Sequence, residues 1–97
     1  MYARMTITET KIAWIDKFVK LYEESVVPAA KKQKGYCGAY CLVDRKTGKG
    51  ISITLWDCEE DALANEKSRY YQEQLVKFMN FVTKPFIREG YEVVVQA

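Results

Sequence analysis

Histidine is absent from all 97 residues. That removes the commonest general base, the commonest zinc ligand and the usual proximal haem ligand. Cysteine is scarce and odd in number: Cys37, Cys41 and Cys58 lack metal-site spacing and do not suggest a disulfide framework. No apolar run nears the ~20 residues of a membrane span. The opening Met1-Tyr-Ala-Arg-Met-Thr-Ile-Thr has neither the apolar core nor the cleavage site of a signal peptide. Formal charge is only +2, short of the basic surplus of a nucleic-acid binder. The five glycines match no phosphate-binding loop. The expectation is a cytoplasmic protein with no metal, no cofactor, no membrane and no nucleic-acid partner.

What the chain does have is apolar surface. Hydrophobic residues make up 48% and aromatics 13% of a single domain spanning 1–97. A domain of this size buries only about two-thirds of its unfolded surface. The surplus is expected to meet a partner, most simply a second copy of the chain.

Tyr2–Glu9 alternates, with Ala3, Met5 and Ile7 on one face and Tyr2, Arg4, Thr6 and Thr8 on the other, which predicts a strand. Thr10 is placed to cap a helix whose apolar positions run Ile12, Ile15, Phe18/Val19, Tyr22 and Val26, with Pro28 kinking or ending it. Gly35 stops any extension. Tyr36–Val43 is apolar on both faces and reads as a strand covered on both sides, with Cys37 and Cys41 on one face. Asp44–Gly50 is turn chemistry, with Gly48 free to take positive φ, and Ile51–Trp56 returns as a strand. Asp57 or Cys58 opens a second helix, its first turn acidic and its inner stripe reading Leu63, Glu66, Tyr70, Gln74/Leu75, Phe78 and Val82. Pro85 and Gly90 bracket a loop before a last strand at Tyr91–Gln96.

The order is β-α-β-β-α-β. An α+β, ferredoxin-like arrangement with a four-stranded antiparallel sheet satisfies it. Helices cover one face of such a sheet, and the other face stays apolar. Packing sheet to sheet in a homodimer would bury it.

Gly35-Tyr-Cys-Gly38, Thr47-Gly48-Lys-Gly50 and Ser52-Ile-Thr-Leu-Trp56-Asp57 followed by Glu59-Glu-Asp-Ala-Leu63 occur in this order. With Tyr70-Tyr71-Gln72 and Tyr91-Glu-Val-Val, they resemble the antibiotic biosynthesis monooxygenase-like family over nearly the whole chain. The resemblance implies a dimeric α+β barrel with helices outside and a ligand cavity between sheet and helices. It also implies cofactor-independent oxygenation of polyphenols or quinols as one activity of relatives, and haem degradation as another. The haem-degrading branch has Asn on the first strand, Trp ending the third and His on the second helix. This chain has Thr6, Trp56 and then Asn65 or Glu66 there, so haem degradation by a His-dependent route is not expected.

The candidate ligand-binding residues are Arg4, Thr6, Trp56, Tyr70 and Tyr22, with Glu66 the candidate catalytic group. Trp56 offers a flat wall and an N–H, or simply anchors helix to sheet. Arg4, on the helix-facing side of a central strand, needs a partner. Glu66 is that partner or a proton acceptor, because desolvation raises a carboxylate's affinity for a proton. Tyr22 and Tyr70 offer phenolic hydrogen bonds or plain core. Among the cysteines, Cys58 at a helix start is the best placed for reactivity, and small-hydrophobe roles account for all three. Lys31, Lys32 and Lys34, like Arg45, Lys46 and Lys49, read as solvated loop charge. Two functions fit: a cofactor-independent monooxygenase binding a small aromatic or quinol-type ligand, or a non-catalytic homodimeric ligand-binding or regulatory domain.

Overall fold

Strand alternation decides the layering of the fold. The computed structural model describes residues 1–97. It contains strands β1 (Tyr2–Glu9), β2 (Tyr36–Val43), β3 (Lys49–Trp56) and β4 (Ile87–Glu92). Helices α1 (Ile15–Leu21) and α2 (Val27–Lys31) lie between β1 and β2, and α3 (Glu59–Lys67) and α4 (Arg69–Phe78) between β3 and β4. The strands form one four-stranded sheet in the order β2-β3-β1-β4, every neighbouring pair antiparallel. This is the ferredoxin-like α+β arrangement that the element order predicts.

In the central pair, Tyr2, Arg4, Thr6 and Thr8 of β1 stand opposite Trp56, Thr54, Ser52 and Gly50 of β3. With a side-chain period of two, this register puts all eight on one face, and the helices cover that face. There Phe18 of α1, Tyr22 and Phe78 of α4 form the centre of the core, with Cys41 of β2 packed against them. Phe18 and Phe78 meet edge to face, 4.9 Å between centroids, a favoured aromatic geometry.

The opposite face carries three apolar rows across the strands. Leu42, Ile51, Ile7 and Ile87 make one; Tyr40, Ile53 and Met5 a second, ending at Glu89; Gly38, Leu55, Ala3 and Tyr91 the third. No helix covers it. Tyr40, Leu42, Ile87 and Tyr91 are exposed, so β2 is covered on one side of the chain rather than on both.

Several local expectations are corrected by long-range contacts. Thr10 does not cap α1: its hydroxyl donates to the Phe81 carbonyl, because a bridge from Thr10 to Val82 draws that segment to the end of β1. The helical stretch opens with a 3-10 turn at Ile12–Trp14 and widens into a π-turn at Tyr22–Val26. Pro28 follows in the first turn of α2, and the wider turn just before it accommodates a residue with no N–H and a bulky ring. The second helix is two helices. Ser68 is extended (φ −74°, ψ 151°), and its hydroxyl turns back to the Asn65 carbonyl at 2.6 Å. Consequently Ala62 and Asn65 are buried on α3 while Leu63 is exposed.

A bulge between Tyr36 and Gly38 removes Cys37 from the alternation of β2. Cys41 packs under the helices, whereas Cys37 stands exposed with its thiol donating to Asp57 Oδ1 at 3.1 Å. The last strand begins at Ile87, earlier than Tyr91, and Gly90 lies within it. A Cβ on Gly90 would fall 2.2 Å from the Tyr2 hydroxyl and 2.7 Å from an Arg4 nitrogen. The glycine therefore marks a close approach rather than a loop. No helix is long and apolar enough to cross a membrane.

Candidate functional site

The helix-covered face of the central strands is unusually polar for a core. Arg4, Thr6 and Thr8 enter from β1, and Ser52 and Thr54 from β3. Above them stand α1, α3, α4 and the turns between. They do not close completely, and a cavity of about 80 Å³ remains between sheet and helices. Its floor is these strand residues together with Trp56. Its apolar wall comes from Phe18, Leu75, Phe78 and Phe86, and its helical rim from Asn65, Glu66, Tyr70, Tyr71 and Gln74.

Arg4, Thr6, Trp56, Glu66, Tyr70 and Tyr22 thus all line the same cavity. Their individual states differ. Arg4 Nε donates to Glu66 Oε1 at 2.6 Å, with only 20% and 11% of the side chains exposed. That hydrogen bond, more than the opposing cost of burial, holds the guanidinium above its ordinary pKa. The ion pair joins β1 to α3 at the wall of the cavity.

Trp56 is fully buried, and its indole N–H donates to Thr54 Oγ1 at 2.9 Å. The N–H is therefore used within β3, and the ring meets Tyr36 edge to face at 5.9 Å. The Tyr22 hydroxyl pairs with Ser52 Oγ at 2.7 Å. Burial pushes Tyr22 up to about 12, the Ser52 hydrogen bond pulling the other way, and burial pushes Tyr70 up to about 12 as well. Both phenols are neutral at ordinary pH. They act there as hydrogen-bonding groups and not as bases.

Sequence reasoning missed Tyr71, Thr8, Ser52 and the place of Asn65 in the wall. Tyr71 is raised mainly by burial, and the positive charge of Arg88, 5.2 Å from its ring centroid, opposes the shift. The break at Ser68 frees α4 to rotate independently of α3, which brings Tyr70 and Tyr71 both to the cavity. Thr8 donates to the Gly50 carbonyl, and Gln74 accepts from Ser25 at 2.8 Å. Asn65 Oδ1 has no partner although its residue is only 9% exposed. No sequence signal distinguishes this amide from a solvated one. Only the packing of α3 on the sheet does. The cysteines stand outside the cavity lining. Burial raises Cys41, and the hydrogen bond to Asp57 raises Cys37, so neither thiol is activated.

The hollow lies over the centre of a ferredoxin-like sheet, and solved structures share that fold, sheet and helices together, along nearly their full length. One from Bordetella bronchiseptica, provisionally named an antibiotic biosynthesis monooxygenase, superposes with a TM-score of 0.84 at 10% identity, over 97% of each chain. One from Nitrosomonas europaea, with the same provisional name, gives 0.82 at 12% identity over 98% of this chain and all of the other. This is the antibiotic biosynthesis monooxygenase fold. A second Nitrosomonas europaea protein, described as of unknown function, shares it at a TM-score of 0.78 and 14% identity, over 99% of this chain and 91% of that one. The monooxygenase fold therefore also carries proteins with no assigned activity, and one fold hosts many functions. No protein-family model matches the chain, and no curated protein matches it.

Proposed function

We propose that the chain forms a homodimer through its open sheet faces and binds a small aromatic or quinol-type ligand in the cavity, acting on it as a cofactor-independent monooxygenase. The observation that carries this reading is the juxtaposition of the Arg4–Glu66 pair with an aromatic-walled hollow over the sheet. The names given to proteins of the same fold support it. In such a reaction the deprotonated substrate reacts directly with dioxygen. One oxygen atom enters the substrate, and the other leaves as water with two hydrogens drawn from the substrate. The protein contributes a proton acceptor, orientation and exclusion of water. Glu66 is the acceptor by position, and it takes the proton as it exchanges Arg4 for the ligand.

Size constrains the ligand. Most ligand sites measure a few hundred cubic ångströms, and a dry hollow of about 150 Å³ accommodates benzene. At about 80 Å³ this cavity takes a single ring when the half-buried Tyr70 swings outward. A ligand of several fused rings does not fit this wall.

A second reading, a non-catalytic homodimer that binds a small ligand, is favoured by one specific observation. Glu66 is already engaged by Arg4, and Tyr22 and Tyr70 are held neutral, so no free base faces the hollow. Oxygen uptake with a panel of single-ring hydroquinones separates the two. Uptake above the buffer rate that falls at least about tenfold in Glu66→Gln supports the enzyme. Binding without uptake supports the second reading, and neither binding nor uptake defeats both.

A further inference from the structure

Outside the inner cavity, α4 carries a second apolar stripe. Leu75 and Phe78 line the cavity, while Val76 and Met79, three residues apart on one helical face, are exposed. With Leu75, Val82, Pro85 and Phe86 they wall an open groove between α4 and the segment leading into β4. It measures about 770 Å³ against about 80 Å³ for the inner cavity. Apolar residues exposed singly are ordinary, but a concave group of them marks a place for a ligand. None of the residues around the groove is acidic, and two are cations, Lys84 and Arg88. Lys84 is neutralised by Glu9 at 3.2 Å. Arg88 is not. Of the four arginines, Arg4, Arg45 and Arg69 each meet a carboxylate, and Arg88 meets none. Its guanidinium lies instead over the ring of Tyr71, 5.2 Å from the centroid. A guanidinium held by its face keeps its in-plane fork of N–H donors available for a carboxylate.

We infer that this groove is a second ligand site, for an aliphatic monocarboxylate: the alkyl chain lies against Val76, Met79 and Val82, and Arg88 binds the carboxylate. Charge complementarity argues for the anion, since the only unpaired arginine of the protein stands at a groove with no acidic lining. The lining argues for the aliphatic body. Several aromatic rings wall the inner cavity, whereas Phe86 is the only ring in the groove, among Leu, Val and Met side chains that adapt to a flexible chain. The inference stands whether or not the inner cavity takes a ring.

Octanoate and octanol share an alkyl chain and differ in charge. Their dissociation constants for the intact protein are measured by NMR, with octanoate kept below its micelle concentration. Leu75 and Phe86 line both hollows, so the signals followed are the methyls of Val76 and Met79, which line the groove alone. Octanoate is expected to bind at least about fivefold more tightly than octanol, a preference that shrinks as salt is raised. Arg88→Gln is expected to remove the preference, and Arg88→Lys to keep part of it. Arg88 is exposed, so neither variant should disturb the core. Were one to unfold, the comparison of acid and alcohol on the unaltered chain decides by itself. Equal binding of the two overturns the role of Arg88 and the carboxylate specificity with it. Shifts at Phe18 and Tyr22 without shifts at Val76 and Met79 would put the alkyl chain in the inner cavity and overturn the groove as its site. Methyl signals that ignore octanoate also overturn it, and if they follow protein dilution instead, a second copy is what covers the groove.

Discussion

Arg4 and Glu66 are 62 residues apart in sequence and 2.6 Å apart in the fold, the guanidinium rising from the third residue of β1 to the last turn of α3. Each solves the other's problem. A charge turned toward the helices from a central strand needs an opposite charge, and the inner stripe of a helix tolerates a carboxylate only on the same terms.

Removing one partner strands the other. Glu66→Gln is expected to cost about 1 to 3 kcal/mol, less than the 3 to 5 kcal/mol of a wholly buried pair because both side chains keep some exposure. Arg4→Met combined with Glu66→Leu is expected to recover to within about 1 kcal/mol of the unaltered chain. Urea unfolding of the unaltered chain, Arg4→Met, Glu66→Leu and the double variant gives the coupling. A value under about 0.5 kcal/mol would show that the pair is a bystander.

Tyr22 makes stability depend on alkali. In the fold its phenol holds its proton to about 12, whereas the ordinary value is 10.0. Between these values the unfolded chain binds fewer protons than the folded one. The contribution is therefore whole below pH 10 and is lost as pH rises toward 12, in all roughly 2 to 3 kcal/mol. Tyr70 acts in the same direction. Tyr22→Phe costs about 1 kcal/mol at pH 8 by leaving Ser52 unpaired. It should lose roughly 2 kcal/mol less than the unaltered chain between pH 9 and pH 11.5. Unfolding free energies with parallel pH slopes for the two proteins would contradict this.

Gly48 turns the β2–β3 hairpin at φ +84°, and a Cβ there would lie 2.0 Å from the Thr10 carbonyl oxygen. That oxygen belongs to the backbone and cannot swing aside. Gly48→Ala should destabilise by at least about 2 kcal/mol. It should also accelerate hydrogen exchange at the Thr10 amide, which donates to the Gly48 carbonyl at 2.9 Å. An alanine variant with unchanged stability and exchange would mean the turn refolds at no cost.

The open sheet face predicts association. Leu42 is exposed at the end of the row that continues through Ile51, Ile7 and Ile87, on an edge strand where a single chain tolerates a charge. Sedimentation at micromolar concentration should give twice 11.3 kDa for the chain and 11.3 kDa for Leu42→Lys. A species of 11.3 kDa from the unaltered chain would remove the homodimer from the proposed function.

How far the site was legible follows from which signals are local. Arg4 and Thr6 were placed on the right face by alternation alone, and Glu66 and Tyr70 by helical spacing. Leu63 was misplaced, and Tyr71 overlooked, because the helix breaks at Ser68 and each half turns to suit its own packing. Thr10 looked like a cap because serine and threonine caps are local motifs. Its actual partner, Phe81, is far along the chain. The unpaired state of Asn65 had no local signature at all.

By itself the sequence determined the order of elements, the polar and apolar faces of β1 and β3, the hairpin at Gly48 and the absence of imidazole chemistry. These follow from periodicity, turn chemistry and composition, which are properties of neighbouring residues. Tertiary structure alone decided where the helices break, where β4 begins, which charge meets Arg4 and which amide oxygen is left without a donor. Those outcomes depend on which distant groups compete for the same space and the same hydrogen bonds. Only the closed fold brings the competitors together.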